Sequence, residues 1–250
     1  LRPRLSAFLI VHDEERHLPE CLASLAGLAD EIVVLDDGSS DATVPLARAA
    51  GARVEHRGFD DFGHQKQAAL ELTTGDWVFS IDADERVSPE LARAMRDAIA
   101  SAAPCDGYWI RREVIYLGSP LRYGGMGSEW VLRLARRARA RFELLPVHEH
   151  LLVEGPLARL PGTLRHIKYE RLAEHVAQVN RYTDLASLRL RGTGRRFRLL
   201  HLLRIPFEIC SRLIFKLGIL DGRPGVIWAT MAGFYSFLKY AKLWTGPEQS

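Results

Sequence analysis

The feature that most constrains this chain is an alternation in its first hundred residues. Short β-branched runs trade places with helical patterns, and three of the runs end in acidic side chains. Residues 7–11 read as a strand that leads into His12, Asp13 and Glu14. Residues 14–25 carry the periodicity of an amphipathic helix, with Leu18, Cys21, Leu22 and Leu25 on its apolar side. A second strand over 31–35 runs into Asp36, Asp37, Gly38, Ser39, Ser40 and Asp41, and Asp41 is placed to cap a helix over 42–50 that stops at Gly51. A short strand over 53–56, a helix over 65–72 and a strand over 76–81 follow, the last entering Asp82, Ala83, Asp84 and Glu85. Ser88 as cap and Pro89 in the first turn then begin a helix that reaches about Ala100. Such repetition predicts an α/β fold with a mostly parallel central sheet covered on both faces.

In an open parallel sheet, ligands bind beyond the carboxyl ends of the strands. Here three strand ends deliver carboxylates to one rim, where they would repel one another at short range. A hard divalent cation, Mg2+ or Mn2+, resolves this, because such ions take one or two protein carboxylates together with substrate phosphates. Taken alone, the run 37–41 is an ordinary turn and helix cap, and a single Asp-x-Asp says less. Both motifs at strand ends of one alternating domain point to a nucleotide-diphosphate ligand and a metal.

Composition bounds the rest. The chain has 250 residues, 47% of them hydrophobic, enough for one large domain or one domain with an appended module. Cys21, Cys105 and Cys210 are far apart and lack CxxC spacing, so neither a disulfide framework nor a zinc site is indicated, and a reducing cytoplasmic setting is expected. No secretory signal is read in residues 1–11, a short apolar run broken by Arg2, Pro3 and Arg4. The net charge of +3 hides an asymmetry, with acidic residues early and arginines crowded at 133–141 and 189–204. That asymmetry calls for an anionic partner of the later half, lipid headgroups or nucleic acid by composition alone.

The motifs together resemble those of family 2 inverting glycosyltransferases with the GT-A fold. The resemblance lies in residues 8–15 (Phe-Leu-Ile-Val-His-Asp-Glu-Glu), 32–41 (Ile-Val-Val-Leu-Asp-Asp-Gly-Ser-Ser-Asp), 63–67 (Gly-His-Gln-Lys-Gln) and 80–85 (Ser-Ile-Asp-Ala-Asp-Glu), in matching order and spacing. It implies that Glu14 and Asp37 hold the base and ribose of the donor nucleotide with Asp36 beside them, and that Lys66 approaches the nucleotide or its diphosphate. It implies further that Asp82 lies near the ribose and metal and that Asp84 is a metal ligand. Asp13, where many relatives have asparagine, and Gln67 depart from the pattern without removing a metal ligand.

From Gly107 the pattern turns to irregular β and loop, with Gly124, Gly125 and Gly127 in a substrate-facing segment. Residues 130–136 precede Pro146-Val-His-Glu-His150, three titratable groups in a row. Inversion needs a general base for the acceptor hydroxyl, and Glu149 is the preferred one. His148 or His150 would instead meet the metal or phosphates. The spacing His148-Glu149-His150 does not fit a zinc protease, which sets two histidines on one helical face. This element resembles the family 2 subgroup that builds lipopolysaccharide core, including heptose β-1,4-glucosyltransferases, as do Gly218, Asp221, Gly222, Gly225 and the run 240–243 in the tail. The resemblance implies UDP-glucose as donor and a glycan or glycolipid acceptor, with no nucleic acid.

The expected organisation is a catalytic domain over 1–170, with donor half 1–104 and acceptor half 105–170, followed by a basic amphipathic helical region over 171–250. A helix over 172–191 is expected to end at Gly192-Thr193-Gly194. Residues 197–217 mix leucine, isoleucine and phenylalanine with Arg198, Arg204, Arg212 and Lys216, and 226–238 is apolar but too short to span. Peripheral attachment to the cytoplasmic face of an inner membrane is the expectation. Two rivals stand beside it. A nucleotidyltransferase would need a glycine-rich basic loop after the first strand, and residues 12–16 offer none. A non-catalytic lipid or RNA adaptor would leave the strand-end carboxylates unexplained.

Overall fold

The computed structural model describes residues 2–101, 105–144 and 149–246. Two compact units divide the chain: residues 1–112 with 129–166, and residues 113–128 with 167–250.

The first unit opens with the alternation expected from the sequence: β1 (Leu5–Val11), α1 (Leu18–Leu25), β2 (Glu31–Asp36), α2 (Thr43–Ala49), β3 (Arg53–His56), α3 (Phe62–Glu71) and β4 (Trp77–Ser80). β5 (Glu85–Val87) and α4 (Pro89–Ala100) follow. Then come β6 (Gly107–Tyr116), β7 (Ser119–Leu121), β8 (Glu129–Arg136), β9 (Ala140–Phe142), β10 (Leu151–Val153) and β11 (Leu157–Tyr169), with β6 and β11 each running into the second unit. The main sheet has the order β3-β2-β1-β4-β8-β6-β11-β5. β3, β2, β1 and β4 are parallel, whereas β8 joins β4, and β6 joins β8, antiparallel. The parallel expectation therefore describes β3, β2, β1 and β4 alone, and antiparallel strands extend the sheet beyond β4.

Both faces of the parallel part are buried, as the apolar runs require. Leu5, Ala7, Leu9 and Val11 of β1 join α1 and α4 in one core, with Leu18, Leu22, Leu91 and Met95. Phe8, Val33, Leu35 and Val78 point to the other face, where Ala69 and Leu70 of α3 meet Phe142 and Leu151. Ser88 caps α4 by accepting the Leu91 amide, as read from the sequence. Three helix starts differ from expectation. α2 begins at Thr43 with Ala42 rather than Asp41 in the cap position, although Asp41 accepts the Thr43 amide at 2.9 Å. α1 begins at Leu18 rather than Glu14, because the Glu14 carbonyl takes the amides of His17 and Leu18 in a preceding turn. α3 begins at Phe62 rather than Gln65, because Asp61 caps it by accepting the His64 amide at 2.8 Å.

The stretch from Gly107, expected to be irregular β and loop, is largely antiparallel sheet, with a register shift between Tyr108 and Trp109. Its period-two signal is hidden because Arg133 on β8 is buried among carboxylates rather than exposed.

The second unit holds α5 (Leu172–Gly192), α6 (Arg204–Cys210) and α7 (Gly222–Thr245). Tyr116, Leu121 and Tyr169 form its small core with Trp228 packed against them. The His175 ring stacks on Tyr169 at 4.3 Å and accepts or donates at Nδ1 with the Tyr116 hydroxyl at 2.8 Å. Burial, then Lys168, holds the His175 pKa down at about 4.

Candidate functional site

The strand order fixes where a ligand belongs. β2 and β3 lie on one side of β1 and β4 lies on the other, so the connection reverses direction between β1 and β4. A crevice opens beyond the carboxyl ends of strands at such a switch point. β1 ends into Glu14 and β4 ends into Asp82 and Asp84, one on each side of it.

The loop after β1 is tied to the loop after β2. Asp13 has φ of 53°, a left-handed conformation that aspartate and asparagine tolerate better than other side chains. Its carboxylate accepts the Ser40 amide at 2.7 Å, while its own amide donates to Ser39 Oγ at 2.9 Å. Glu14 and Glu15 donate their amides to Thr43 Oγ1 and Asp41, and Glu15 accepts the Ala42 amide. Asp36 is buried and turns its oxygens to the Gly38 and Ser39 amides. Gly38, at φ of 78°, makes that turn possible. Asp37 accepts the Phe59 amide at 2.6 Å, which fixes the chain after β3 against the same rim.

Around the Asp-x-Asp segment lies an ionic cluster. Asp82 meets Lys66 Nζ at 3.1 Å and Arg133 at 2.6 Å. Arg133 also reaches Glu85 at 3.1 Å, and Arg112 reaches Glu85 at 3.3 Å. Glu85 is fully buried, while the Asp82 side chain keeps 32% of its surface exposed. Burial alone would push the Asp82 carboxyl up, but Arg133 and Lys66 outweigh it and hold Asp82 well below the usual carboxylate range. For Glu85 burial wins over Arg133, and its pKa is raised. Cys21, also buried, donates its thiol to the Asp82 carbonyl at 3.5 Å and so fixes the loop from below.

Asp84 is paired with an imidazole. His166 Nε2 lies 3.0 Å from Asp84 Oδ2, because β11 pairs with β5 in a register that puts His166 opposite Glu85. Among the described residues no group of three or more His, Cys, Asp or Glu side chains is arranged to hold a metal. Several carboxylates share this rim. Glu14 is pushed up to about 7, by burial first and then by Asp84, Asp41 and Asp82. A carboxylate oxygen and an imidazole nitrogen beside further carboxylates fit a divalent cation whose remaining ligands come from a phosphorylated substrate.

A cleft of about 760 Å³ adjoins this cluster, lined among others by Lys66, Asp82, Trp109, Trp130, Glu149 and His150. Lys66 Nζ is 2.9 Å from Glu149 Oε1 and thus bridges Glu149 to Asp82. The Arg159 guanidinium covers the Trp130 ring at 4.6 Å. His148 lies outside the described residues. Of the residues expected at the site, the cluster and cleft bring together Lys66, Asp82, Glu149 and His150, and Glu14 and Asp84 lie within electrostatic reach of Asp82. Asp36 and Asp37 shape the adjoining loop through amide contacts. Arg133 and His166 join the expected site residues through their contacts with Asp82 and Asp84. Arg133 belongs to the arginine-rich run 133–141, whereas nothing local in the sequence marks His166.

The chain has relatives among known proteins. The model for glycosyl transferase family 2 matches residues 6–149. The chain is 32% identical over 248 residues to the lipopolysaccharide core biosynthesis glycosyltransferase LpsC of Rhizobium meliloti (strain 1021), covering 96% of this chain and 92% of that protein. It is 25% identical over 252 residues to an uncharacterized glycosyltransferase of Rickettsia typhi (strain ATCC VR-144 / Wilmington), covering 96% and 86%. Among solved structures, glucosyl-3-phosphoglycerate synthase from Mycobacterium tuberculosis, in complex with Mn2+, UDP and phosphoglyceric acid, is similar over 70% of this chain and 74% of that one. The TM-score is 0.47 and the identity 17%.

Proposed function

Since the chain belongs to glycosyltransferase family 2, we propose that it transfers a sugar with inversion from a nucleotide-diphosphate sugar to an acceptor hydroxyl of a cell-envelope glycan or glycolipid. UDP-glucose is the proposed donor and lipopolysaccharide core the proposed acceptor class, in line with the relative LpsC, whose name assigns it to core biosynthesis. The observation that carries the reading is the single cleft in which Lys66 links Asp82 to Glu149.

Glu14 and Asp37 are the proposed contacts of base and ribose, on a rim whose loop Asp36 holds in shape. Asp84, with Asp82 beside it, and His166 are the side chains that would hold Mg2+ or Mn2+, and His150 is kept for the phosphates or the metal. The ion, when bound, supplies neutralisation of the charge that grows on the leaving diphosphate. Lys66 supplies a second positive charge for the same oxygens. Arg133 holds Asp82 ionised and fixed in direction.

Glu149 accepts the proton of the acceptor hydroxyl as the new bond forms to the anomeric carbon. Before the donor arrives Glu149 is engaged by Lys66. A diphosphate in the cleft competes for that ammonium group, so donor binding releases the base. Trp109 and Trp130 line the cleft, Trp130 with Arg159 over its ring, and supply aromatic surface of the kind that packs against sugars.

The test is to incubate the protein with UDP- and GDP-sugars and a heptose-containing core acceptor, then to determine the anomeric configuration of the product by NMR. A β-linked product from an α-linked donor, absent with Glu149→Gln, is expected. A retained configuration, or full turnover by Glu149→Gln, overturns the assignment.

A further inference from the structure

Residues 199–215 of the second unit form a continuous helical path in three pieces: a 3-10 turn over Leu199–Leu203, α6, and a π-helical turn over Ser211–Phe215. One side packs on α7. A Cβ at Gly233 would come within 2.6 Å of Ile209 Cγ1, so α6 lies as close to α7 as glycine allows. The opposite side carries Leu200, Leu203, Phe207 and Ile214, spaced as one helical stripe, and all four are exposed. Phe207 is 62% exposed, and Leu199 and Phe215 reach 76% and 79%. A helix apolar on both sides needs a second apolar partner, and a run of large exposed side chains marks an interaction face.

Charge decides which partner. Residues 195–223 contain seven basic side chains and two acidic ones. Both acids are engaged: Asp221 accepts the Arg122 and Tyr123 amides, and Glu208 lies 3.7 Å from Arg212. A second copy of this face would bring like charges together, which is unfavourable. An anionic lipid surface meets both requirements, since its phosphates attract the cations and its acyl boundary receives the apolar stripe. No helix among the described residues is long and apolar enough to cross a membrane, so the contact is interfacial.

We infer that the outward stripe Leu200–Leu203–Phe207–Ile214, flanked by Arg195, Arg196 and Arg198, docks this chain onto an anionic phospholipid bilayer. The inference goes beyond the proposed activity and rests on the second unit alone. Flotation of the full chain with vesicles of phosphatidylcholine containing a quarter phosphatidylglycerol, against pure phosphatidylcholine, tests it. Association is expected on the anionic vesicles and should fall as salt is raised. Leu203→Asp/Phe207→Asp should abolish it. Arg195→Gln/Arg196→Gln/Arg198→Gln changes only exposed side chains, so it tests the idea even if the first variant folds poorly, and it should lower association at least about tenfold. UDP binding should be unchanged in the arginine variant, which separates this test from that of the donor site. Equal binding to neutral and anionic vesicles, no binding to either, or a dimer in solution that Phe207→Asp dissolves would overturn the inference.

Discussion

Replacing Arg133 by methionine removes the cation that sits between two carboxylates. Arg133 is 7% exposed, Glu85 is fully buried, and the two are 3.1 Å apart, with Asp82 at 2.6 Å on the other side. Deleting one partner of a buried ion pair leaves the other charge uncompensated and costs about 3–5 kcal/mol. Arg112 still reaches Glu85 at 3.3 Å and Lys66 still reaches Asp82 at 3.1 Å, so the low end applies, about 3 kcal/mol. For a chain of this size that is a fall in Tm of roughly 6–12 °C.

The deficit depends on pH with a definite sign. The folded pKa of Glu85 already stands above its ordinary value, and loss of Arg133 raises it further. A raised carboxyl is least costly when protonated, so the deficit is largest at alkaline pH and shrinks as pH falls toward the unfolded value. Urea unfolding at mildly alkaline and mildly acidic pH measures it. Adding Glu85→Gln to Arg133→Met should restore most of the loss, since the orphaned charge is then gone. A single-variant loss below about 1 kcal/mol, or no recovery in the double variant, would refute the claim that this cluster is a mutually compensated buried network.

Three further outcomes follow from the same structure. Glu14 holds its proton up to about 7 when folded, so metal-free stability should decline as pH rises from the ordinary glutamate value through about 7. Glu14→Gln should remove that decline and gain about 2 kcal/mol at alkaline pH, after allowance for its partial exposure, while weakening donor binding; parallel unfolding curves for variant and wild type would contradict this. Lys66→Met should lower kcat/KM by about 100-fold, with Lys66→Arg intermediate, and steady-state kinetics that leave the methionine variant near wild type would remove Lys66 from the site. Gly162→Ala should destabilise the first unit by about 2–4 kcal/mol, because φ there is 89° and an added Cβ would press on the Leu91 backbone, with Cα at 2.7 Å; unchanged thermal unfolding would contradict the packing of β11 on α4.

Much of the first hundred residues was legible because local signals and tertiary demands coincide there. Residues 53–56 and the Ser88 start of α4 were read as they stand, since β-branching, a serine cap and an early proline are purely local cues. Asp61 caps α3, so the expected start at Gln65 is three residues late. The antiparallel half was misread for a physical reason: Arg133 points into the protein against Glu85 and Asp82, so a polar residue occupies what periodicity treats as a core position. The site divides in the same way. Lys66, Asp82, Asp84 and Glu149 stand in recognisable runs, but His166 is 82 positions from Asp84 and comes to it only through the β11–β5 register. In the tail, the apolar and basic mixture over 197–217 was legible, whereas its division into 3-10, α and π turns was not.

Calorimetric titration of UDP into the protein, with and without Mn2+ and repeated on Asp84→Ala, tests the central claim most directly. The account predicts binding in the presence of Mn2+ that weakens at least about tenfold when the metal is chelated or Asp84 is replaced. Failure of UDP, GDP and other nucleotides to bind under any metal condition, or equal affinity in Asp84→Ala, would contradict it.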